Sequence, residues 1–431
     1  MTSGYTLFRA AGVVALAACA SPIPSGAQSL AARIKSAPTP RIQFEFAARP
    51  GVCGDGQSFV SGGNDSYYGS VRIINGVPDQ PCSAGPIRVV VDHADDAITN
   101  IETVAGPLHI ATGATDLGTV SSHDAVDYLI LIASTADGRA ARQAIIPATL
   151  ADGVDVTTSL TTIARNQNRP LDTRRAALAS LAHGATDSKA AAQRVTDLLV
   201  TTARDENETQ AFRRAALDLL ANVGHGDGIP ALVQLATDTS TAWTTQEALR
   251  VVAQSDDPRA REFLRTQVKR TDLPEAMLAV AIRGLGGRDA TGQDIALLRS
   301  IFVTTTGDRP RTTIMETIAQ RGTASDRKWL LEVVRDSSQT LPVRRRALDL
   351  ATRGTERSAD ALALYGSINE ESLKGSLIEV YARNGDRASV DKLIAIAKAD
   401  SDYSLRRRAI ASLSRTQDPR ARQALIELST R

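Results

Sequence analysis

The five histidines are the first candidates in this chain for metal binding or acid–base catalysis. None of them belongs to an H-E-x-x-H motif or has a cysteine at zinc-ligand spacing, and the chain has no His-Glu dipeptide. Two of them follow the ends of helical segments, where a partial positive charge is favourable. The sequence therefore predicts structural histidines and neither a metal nor another cofactor. The five are His93, His109, His123, His183 and His225.

The acidic cluster Asp92-His93-Ala94-Asp95-Asp96 is a candidate for binding Ca²⁺. It lacks the alternating oxygen ligands, the central glycine and the terminal glutamate of a calcium loop. Because it joins two runs rich in β-branched residues, it is predicted to be a solvated hairpin loop. A Gly-x-Ser-x-Gly nucleophile motif and any convergent acid–base set are also missing. The sequence therefore predicts a protein that is not an enzyme.

Runs of arginine are the third candidate, here for binding phosphate groups. They begin at Arg174, Arg213, Arg344 and Arg406, and no aromatic residues are interleaved with them. The whole chain has 50 basic against 48 acidic residues, so no overall field draws in nucleic acid. The arginines are expected to be structural, with an anion-binding stripe as the alternative.

The cysteines bear on the redox compartment. If Cys19 is removed or lipid-modified, Cys53 and Cys82 are the only pair left. In an oxidising compartment such a pair is expected to form a disulfide. Two unrelated thiols are the alternative, and a metal site is disfavoured because no C-x-x-C motif is present.

The N-terminus is predicted to be a signal peptide over residues 1–27. Arg9 precedes an apolar run, Ala10–Ala20, that is too short to span a bilayer. Ser25-Gly26-Ala27 resembles a small-residue cleavage site and would give a mature chain that starts at Gln28 without a transmembrane span. The competing interpretation is a lipobox, Leu16-Ala17-Ala18-Cys19, which would leave a lipid anchor on Cys19. Both predict export to the periplasm or cell envelope of a bacterium.

Residues 28–122 differ in kind from the rest of the chain. Ile42, Phe44 and Phe46 alternate with polar residues, and the segments 87–91 and 98–104 are rich in β-branched residues. This pattern predicts a small module of four or five strands, stapled by the cysteines, between residues 41 and 106. A Gly- and Thr-rich linker is expected over residues 106–122.

Residues 123–431 are predicted to be helical and to contain about eight repeats. Residues 123–168 do not fit the repeat spacing and are expected to form an N-terminal cap. From residue 169 an apolar pattern recurs at intervals of 31 to 39 residues. Its anchor positions are Leu178, Leu217, Leu249, Ile282, Met315, Leu348, Glu379 and Ile410, and small or apolar residues precede each of them.

Two polar columns accompany the repeat. Four residues before the anchor stand Arg174, Arg213, Arg311, Arg344 and Arg406. Between the two helices of each pair comes an acidic residue, which suits the N-terminus of the second helix. The acidic column contains Asp187, Asp227, Asp257, Asp289, Asp326, Glu356, Asp386 and Asp418.

The repeat resembles HEAT repeats, particularly the short kind first noticed in phycobilisome lyases. The resemblance is carried by RRAALDLLANVGHGDGIPALVQLA (213–236), SDDPRAREFL (255–264) and RRRAIASLSRTQDPRARQALIEL (406–428). The tryptophan, glycine and tyrosine positions of tetratricopeptide repeats are missing. The resemblance implies a right-handed α-solenoid in which the arginine and acidic columns form a ladder between successive repeats.

The resemblance says little about activity, because such arrays are mostly binding surfaces. The sequence therefore predicts an exported scaffold that holds a protein partner of the cell envelope on its concave face. In HEAT-like arrays the second helices line that face. They lie near Thr196, Leu232, Phe263, Ile295, Leu330, Ala363, Leu393 and Leu425. Two alternatives remain open. One is binding of polysaccharide or lipid, with Tyr67, Tyr68 and Trp243 stacking on sugar, and the other is an accessory role to a lyase.

Overall fold

The computed structural model describes residues 29–430 except 58, 62–65, 69–72, 75–76, 79–82, 96, 108–109, 186–187, 225, 288 and 354–357. Several predictions fall outside the described residues: the signal peptide with Cys19, the start at Gln28, and Cys82, His109, Asp187, His225 and Glu356. The chain divides into two compact units, Met1–Ser180 and Leu181–Arg431.

The first unit contains the described strands. They are β1 (Arg41–Phe46), β2 (Val52–Gly54), β3 (Phe59–Ser61), β4 (Ser66–Tyr68), β5 (Ile73–Ile74), β6 (Val77–Pro78), β7 (Ser83–Ala84), β8 (Ile87–Ala94), β9 (Ala97–Ala105) and β10 (Thr115–Thr119). The main sheet has the order β10-β1-β8-β9, and β1 is parallel to β10 and antiparallel to β8. A second sheet has the order β4-β3-β2-β7, and β5 pairs with β6.

The helices described in the first unit are α1 (Leu30–Lys35), α2 (Ser122–Thr135), α3 (Gly138–Gln143), α4 (Ile145–Thr149) and α5 (Thr157–Arg165), and α6 (Leu171–Gly184) spans the boundary between the units. Two of these helices, α2 and α3, contact one face of the main sheet, and α1, α4 and α5 pack against α2. Alternation along β1 puts Ile42, Phe44 and Phe46 on the covered face, where all three are buried. Phe44 meets Tyr128 of α2 edge to face, with ring centroids 6.1 Å apart.

Polar contacts also join this sheet to the helices. The side chain of Gln143 in α3 accepts a hydrogen bond from the Ile101 backbone of β9 and donates one to Asn100. A small sheet with one apolar face needs such a cover to exclude water. The predicted boundary at residue 122 therefore differs from the structure, in which the helices expected to cap the repeats lie in the same compact unit as the sheet.

The segment predicted as a linker also differs from expectation. Residues 115–119 form β10, an edge strand paired with β1. Its burial pattern has no buried position, so the strand lacks the apolar alternation by which strands are recognised in a sequence. The hairpin between β8 and β9 was predicted, but Asp92 and His93 belong to β8, and Asp95 lies in the turn that follows.

The remaining helices alternate as first and second helices of pairs. After α6 they are α7 (Lys189–Arg204), α8 (Gln210–Leu220), α9 (Ile229–Thr237), α10 (Ala242–Gln254), α11 (Pro258–Gln267), α12 (Glu275–Leu285), α13 (Gly292–Thr304), α14 (Asp308–Ala319), α15 (Ala324–Arg335), α16 (Leu341–Ala351), α17 (Ser358–Leu364), α18 (Glu371–Asn384), α19 (Arg387–Ala399), α20 (Tyr403–Leu413) and α21 (Pro419–Ser429). Among the described residues this makes eight pairs, α6 with α7 through α20 with α21, as the repeat predicts.

The residue before each anchor forms the most regular buried column. All eight members are completely inaccessible to solvent: Ala177, Ala216, Ala248, Ala281, Ile314, Ala347, Ile378 and Ala409. Small side chains here let successive first helices approach closely. At Gly284 in α12, even an added Cβ would lie 2.6 Å from the Cβ of Ala253. The anchor column itself is less regular, since Glu379 is exposed and Ile410 is half-buried.

Candidate interaction surface

The arginine column binds backbone carbonyl groups. Arg174, Arg213 and Arg344 each donate from Nε to the carbonyl oxygen ten residues earlier, at 2.8, 2.9 and 2.8 Å. Those oxygens lie at the C-terminal ends of the preceding helices, where carbonyl groups lack intrahelical donors. All three side chains are buried. We call these three residues the arginine clamps, because each holds the end of one helix against the start of the next.

The other two members of the column differ. Arg311 of α14 lies over the ring of Phe302, with its guanidinium carbon 5.9 Å from the ring centroid, and its buried Nε has no hydrogen-bond partner. Arg406 of α20 donates to the backbone oxygens of Asp400 and Ser401 in the preceding turn. Four of the five members of the column therefore bind backbone oxygens at helix ends or turns, and Arg311 contacts an aromatic ring instead.

The predicted ladder between the arginine and acidic columns differs from the described contacts. Arg213 binds Ala203 and Thr244, and the carboxylate that pairs with Arg344 is Glu370, which is not in the acidic column. Asp257, Asp386 and Asp418 instead cap α11, α19 and α21. Asp227 and Asp289 are exposed. The arginines donate hydrogen bonds to backbone carbonyl groups, and three of the acidic residues accept hydrogen bonds from the backbone at the N-termini of their own helices.

Successive second helices are joined by a different set of ion pairs. Asp294 of α13 accepts hydrogen bonds from Arg265 Nε at 2.7 Å and Arg261 Nη1 at 3.0 Å, both from α11. One repeat later, Asp326 of α15 pairs with Arg299 Nη2 of α13 at 2.8 Å. The two aspartates occupy the same position in the first turn of their helices, so these contacts form a real inter-repeat ladder.

Asp294 is completely buried, and its environment stabilises its charge. Burial alone raises the pKa of Asp294. The hydrogen bonds from Arg265, from the Thr291 backbone and hydroxyl, and from Arg261 outweigh this effect and hold the pKa below its ordinary value. Sequence analysis missed this residue in favour of Asp289. The spacing Thr291-x-x-Asp294, which the structure shows to be a capping box, is the signal that could have found it.

The first helices carry their own charged network at the surface. Arg214 of α8 donates from Nε and Nη2 to the Glu247 carboxylate of α10 at 3.1 and 3.0 Å. In the opposite direction, Arg250 Nη2 of α10 donates to Asp218 of α8 at 2.6 Å. The guanidinium carbon of Arg213 lies 4.6 Å from the ring centroid of Trp243. This arginine covers the ring of Trp243, so the tryptophan is part of the repeat packing.

The exposed positions of the second helices do not repeat. They carry Asp197 and Arg194 in α7, Gln234 in α9, Glu262 in α11, Gln293, Ser300 and Val303 in α13, Lys328 and Glu332 in α15, Asp391 and Lys398 in α19, and Gln423 and Ile426 in α21. Val303 is 74% exposed and Ile426 57% exposed. We call these exposed positions of α7 to α21 the second-helix surface.

Two other candidates for chemistry, Cys53 and His93, belong to the first unit. Cys53 is half-buried in β2. His93 lies in β8, where burial lowers its pKa and Asp92 offsets part of the effect. Among the described residues no group of three or more metal-ligating side chains is assembled. None of the helices described combines the length and the apolar character needed to cross a bilayer.

The family comparison concerns the repeat array. Residues 196–279, which run from α7 into α12, match the family model described as HEAT repeats. This part of the chain is therefore similar to HEAT repeats. The match includes α10 with α11, the pair whose Arg261 and Arg265 contribute to the inter-repeat ladder, and the same arrangement of helix pairs continues on both sides of it. The resemblance expected from the sequence is therefore confirmed.

Comparison with solved structures returns other proteins at low identity. Human deoxyhypusine hydroxylase in complex with glycerol is 12% identical, with a TM-score of 0.26 over 68% of this chain and 96% of that one. Lipovitellin is 12% identical, with a TM-score of 0.42 over 78% of this chain and 40% of that one. The complex of CpcE and CpcF of phycocyanin lyase from Nostoc sp. PCC7120 is 16% identical, with a TM-score of 0.26 over 64% of this chain and 96% of that one.

These superpositions are too poor to support any statement about activity. Comparison with curated protein sequences finds no match.

Proposed function

We propose that this protein is an exported scaffold that holds a protein partner on the second-helix surface, without catalysing a reaction or binding a cofactor. The observation that carries the proposal is the contrast between two sets of positions in the same helices. The buried columns are regular from repeat to repeat, and the exposed positions named for α7, α9, α11, α13, α15, α19 and α21 differ from helix to helix. A regular frame with irregular exposed side chains suits one extended, irregular partner better than a repeated small ligand.

The residues that contact the partner are the exposed neighbours of the positions named from the sequence. Thr196, Leu232, Phe263, Ile295, Leu330 and Leu393 are buried and serve to orient their helices. The side chains available for contact in α13 are instead Gln293, Ser300 and Val303. Polar groups surrounding an exposed valine resemble the mixed composition of protein interfaces.

The ion pairs between second helices support the same surface. Arg261, Arg265 and Asp294 satisfy one another, so they keep adjacent second helices in register without offering an unpaired charge. A partner would therefore be recognised by the shape and by the exposed polar residues of several repeats together.

Site-specific photo-cross-linking in cells tests this proposal. A photoreactive residue at Gln234 of α9 or Gln293 of α13 is expected to capture the same partner protein. The matched controls are Gln210 of α8 and Gln246 of α10, which are also exposed glutamines but lie on first helices. Capture from the first-helix positions alone would contradict the proposed surface, and capture from none of the four would contradict the scaffold.

Binding of polysaccharide is the second candidate, and the described contacts of Trp243 do not favour it. The guanidinium of Arg213 already lies on that ring, and the side chains of Tyr67 and Tyr68 are outside the described residues. Sugar-stacking sites need an accessible aromatic face. Sugar binding that is unchanged in Trp243→Phe but lost in Trp243→Ala would support this alternative.

Export and the disulfide are parts of the same proposal. Cys53 pairs in register with Ala84 of β7, which is two residues beyond Cys82 in the sequence. An intact mass that starts at Gln28 and a Cys53–Cys82 peptide under non-reducing conditions are expected. A lipid-modified Cys19 would change the anchoring but keep the export. Two free thiols on the exported protein would contradict the proposed disulfide.

A further inference from the structure

One face of the main sheet in the first unit is polar and carries a cavity. Register places Arg88 of β8 opposite Glu45 of β1 and opposite Val104 of β9, and directly opposed residues of paired strands point to the same face. On this face the structure has a cavity of about 790 Å³. Its described lining includes Arg41, Arg88, Val90, Val104 and Ile110. The volume is in the range of pockets that hold a small organic molecule.

Arg88 is an unusual residue for such a wall. It is only 5% exposed, and its Nε and Nη2 atoms are buried without a hydrogen-bond partner among the residues that the structure describes. Burial lowers the pKa of Arg88, and the nearby carboxylates of Glu45 and Asp116 offset only part of the effect. A buried guanidinium with unsatisfied donors is costly unless an anion meets it.

The charged neighbours are already committed to other partners. Glu45 accepts a hydrogen bond from the Thr119 hydroxyl, and Asp116 accepts one from the Gly118 backbone. Arg41 forms ion pairs with Asp92 at 3.3 Å and with Glu102 at 2.8 Å. Both Nη atoms of Arg41 therefore have carboxylate partners, whereas no described residue accepts a hydrogen bond from Nε or Nη2 of Arg88.

Other arginines of this chain bind carboxylates through the edge formed by their Nε and Nη2 atoms. Four arginines use this same edge to grip both oxygens of a carboxylate, at distances between 2.6 and 3.1 Å. They are Arg214 with Glu247, Arg259 with Asp257, Arg270 with Asp272 and Arg420 with Asp418. Paired N–H donors in this geometry match a carboxylate in shape and charge.

The walls of the cavity are held in place by backbone contacts. The Ala111 backbone donates to Gln43 Oε1 at 2.7 Å, which fixes the segment that carries Ile110. On the other side the Gly56 backbone donates to the Ala105 oxygen at 2.8 Å. This crossing is possible because Gly106 has a φ of +97°, and a Cβ there would lie 2.3 Å from the Gly54 oxygen.

We propose that this cavity binds a small organic carboxylate and that the Arg88 side chain shifts to admit it. The two ligand oxygens then meet Nε and Nη2, and the apolar part of the ligand lies against Val90, Val104 and Ile110. This site is separate from the second-helix surface and does not depend on the proposed scaffold function. The polar edge fixes the orientation of the ligand, and the apolar wall selects a carboxylate with a hydrocarbon body.

Calorimetric titration of the full chain with acetate, butyrate, hexanoate and benzoate tests this site. Affinity is expected to rise from acetate to hexanoate, and the neutral amides hexanamide and benzamide are expected not to bind. Arg88→Lys keeps the charge but loses the two-pronged edge, so at least a tenfold weaker Kd is expected. Arg214→Lys is the matched control, because its edge is occupied by Glu247, and it should leave the Kd unchanged.

A thermal melt of the free protein separates binding from folding. Arg88→Met removes a buried charge that has no hydrogen-bond partner, so its melting temperature is expected to stay the same or rise while hexanoate binding is lost. Three results would overturn the proposal: no response to any carboxylate, wild-type affinity in Arg88→Met, or a tighter Kd for inorganic phosphate than for hexanoate.

Discussion

The guanidinium groups of the repeat array and that of Arg88 in the sheet are used in opposite ways. In the array, clamps such as Arg213 and ladder residues such as Arg265 have backbone or carboxylate acceptors within the protein. In the sheet, Arg88 is as deeply buried as a clamp but two of its donors have no partner. Arginines with acceptors hold the array together. Arg299 and Arg311 of the array each have only Nε buried without a partner among the described residues, whereas Arg88 has both Nε and Nη2, which is why we propose a ligand there.

The largest effect is expected at the centre of the inter-repeat ladder. Asp294→Ala leaves Arg261 and Arg265 without their buried acceptor and removes one half of the capping box of α13, so it should lower the free energy of unfolding by about 3 kcal/mol. Urea denaturation followed by circular dichroism measures this. Asp391→Ala is the control, since that aspartate is exposed. Equal losses in the two variants would mean that burial of the ladder contributes nothing.

The same carboxylate should give the array a pH dependence. Because its hydrogen bonds hold the pKa of Asp294 below its ordinary value, its contribution is present above the unfolded-state pKa of about 3.9 and is lost as the pH falls through the folded-state pKa. Asp294→Asn should therefore flatten the acid side of the stability profile. An unchanged profile in this variant would assign the acid sensitivity to other residues.

A clamp should matter less than the ladder but more than a surface pair. Arg213→Ala leaves the Ala203 carbonyl without its donor and removes the cover of Trp243, so a loss of about 2 kcal/mol is expected. Arg174 and Arg344 make the same contact, and their alanine variants should behave alike. If Arg213→Ala unfolds like the wild type but loses a binding activity, the column is a binding stripe instead.

The smallest effect is expected for the neighbouring residue. Arg214 also forms an inter-repeat pair, but its side chain is 46% exposed, so Arg214→Ala should cost less than about 1 kcal/mol. Measured beside Arg213→Ala, it separates burial from charge at adjacent positions. A loss for Arg214→Ala as large as that for Arg213→Ala would show that the exposed network carries the array.

The repeat architecture could be predicted from the sequence, and the chemistry of its arginines only in part. A period of 31 to 39 residues with small residues before each anchor is visible as a pattern, and it corresponds to the eight described pairs. The acceptor of Arg213 is a backbone carbonyl, which no residue type reveals. For this reason the sequence pattern favoured the acidic column, which has a similar period, as the partner of the arginine column.

The sheet shows a second limit. Arg88 stands in the run Ile87-Arg88-Val89-Val90-Val91, which predicts a strand but not what lies beside the arginine. Its isolation depends on the register with β1 and on Glu45 and Asp116 turning toward other donors. Likewise β10 is recognisable only through its pairing with β1, since its own residues have no apolar alternation.

The ten-residue span of the arginine clamps has a consequence for how the chain folds. Each clamp closes a loop of ten residues between the end of one helix and the start of the next, and closing such a short loop costs little entropy. Contacts of this kind form before distant parts of the chain need to meet, and low contact order accompanies fast folding. Folding that nucleates at one clamp can therefore spread from one helix pair to the next in both directions. A chain that leaves a translocation channel from one end can fold its helix pairs in the order in which they emerge.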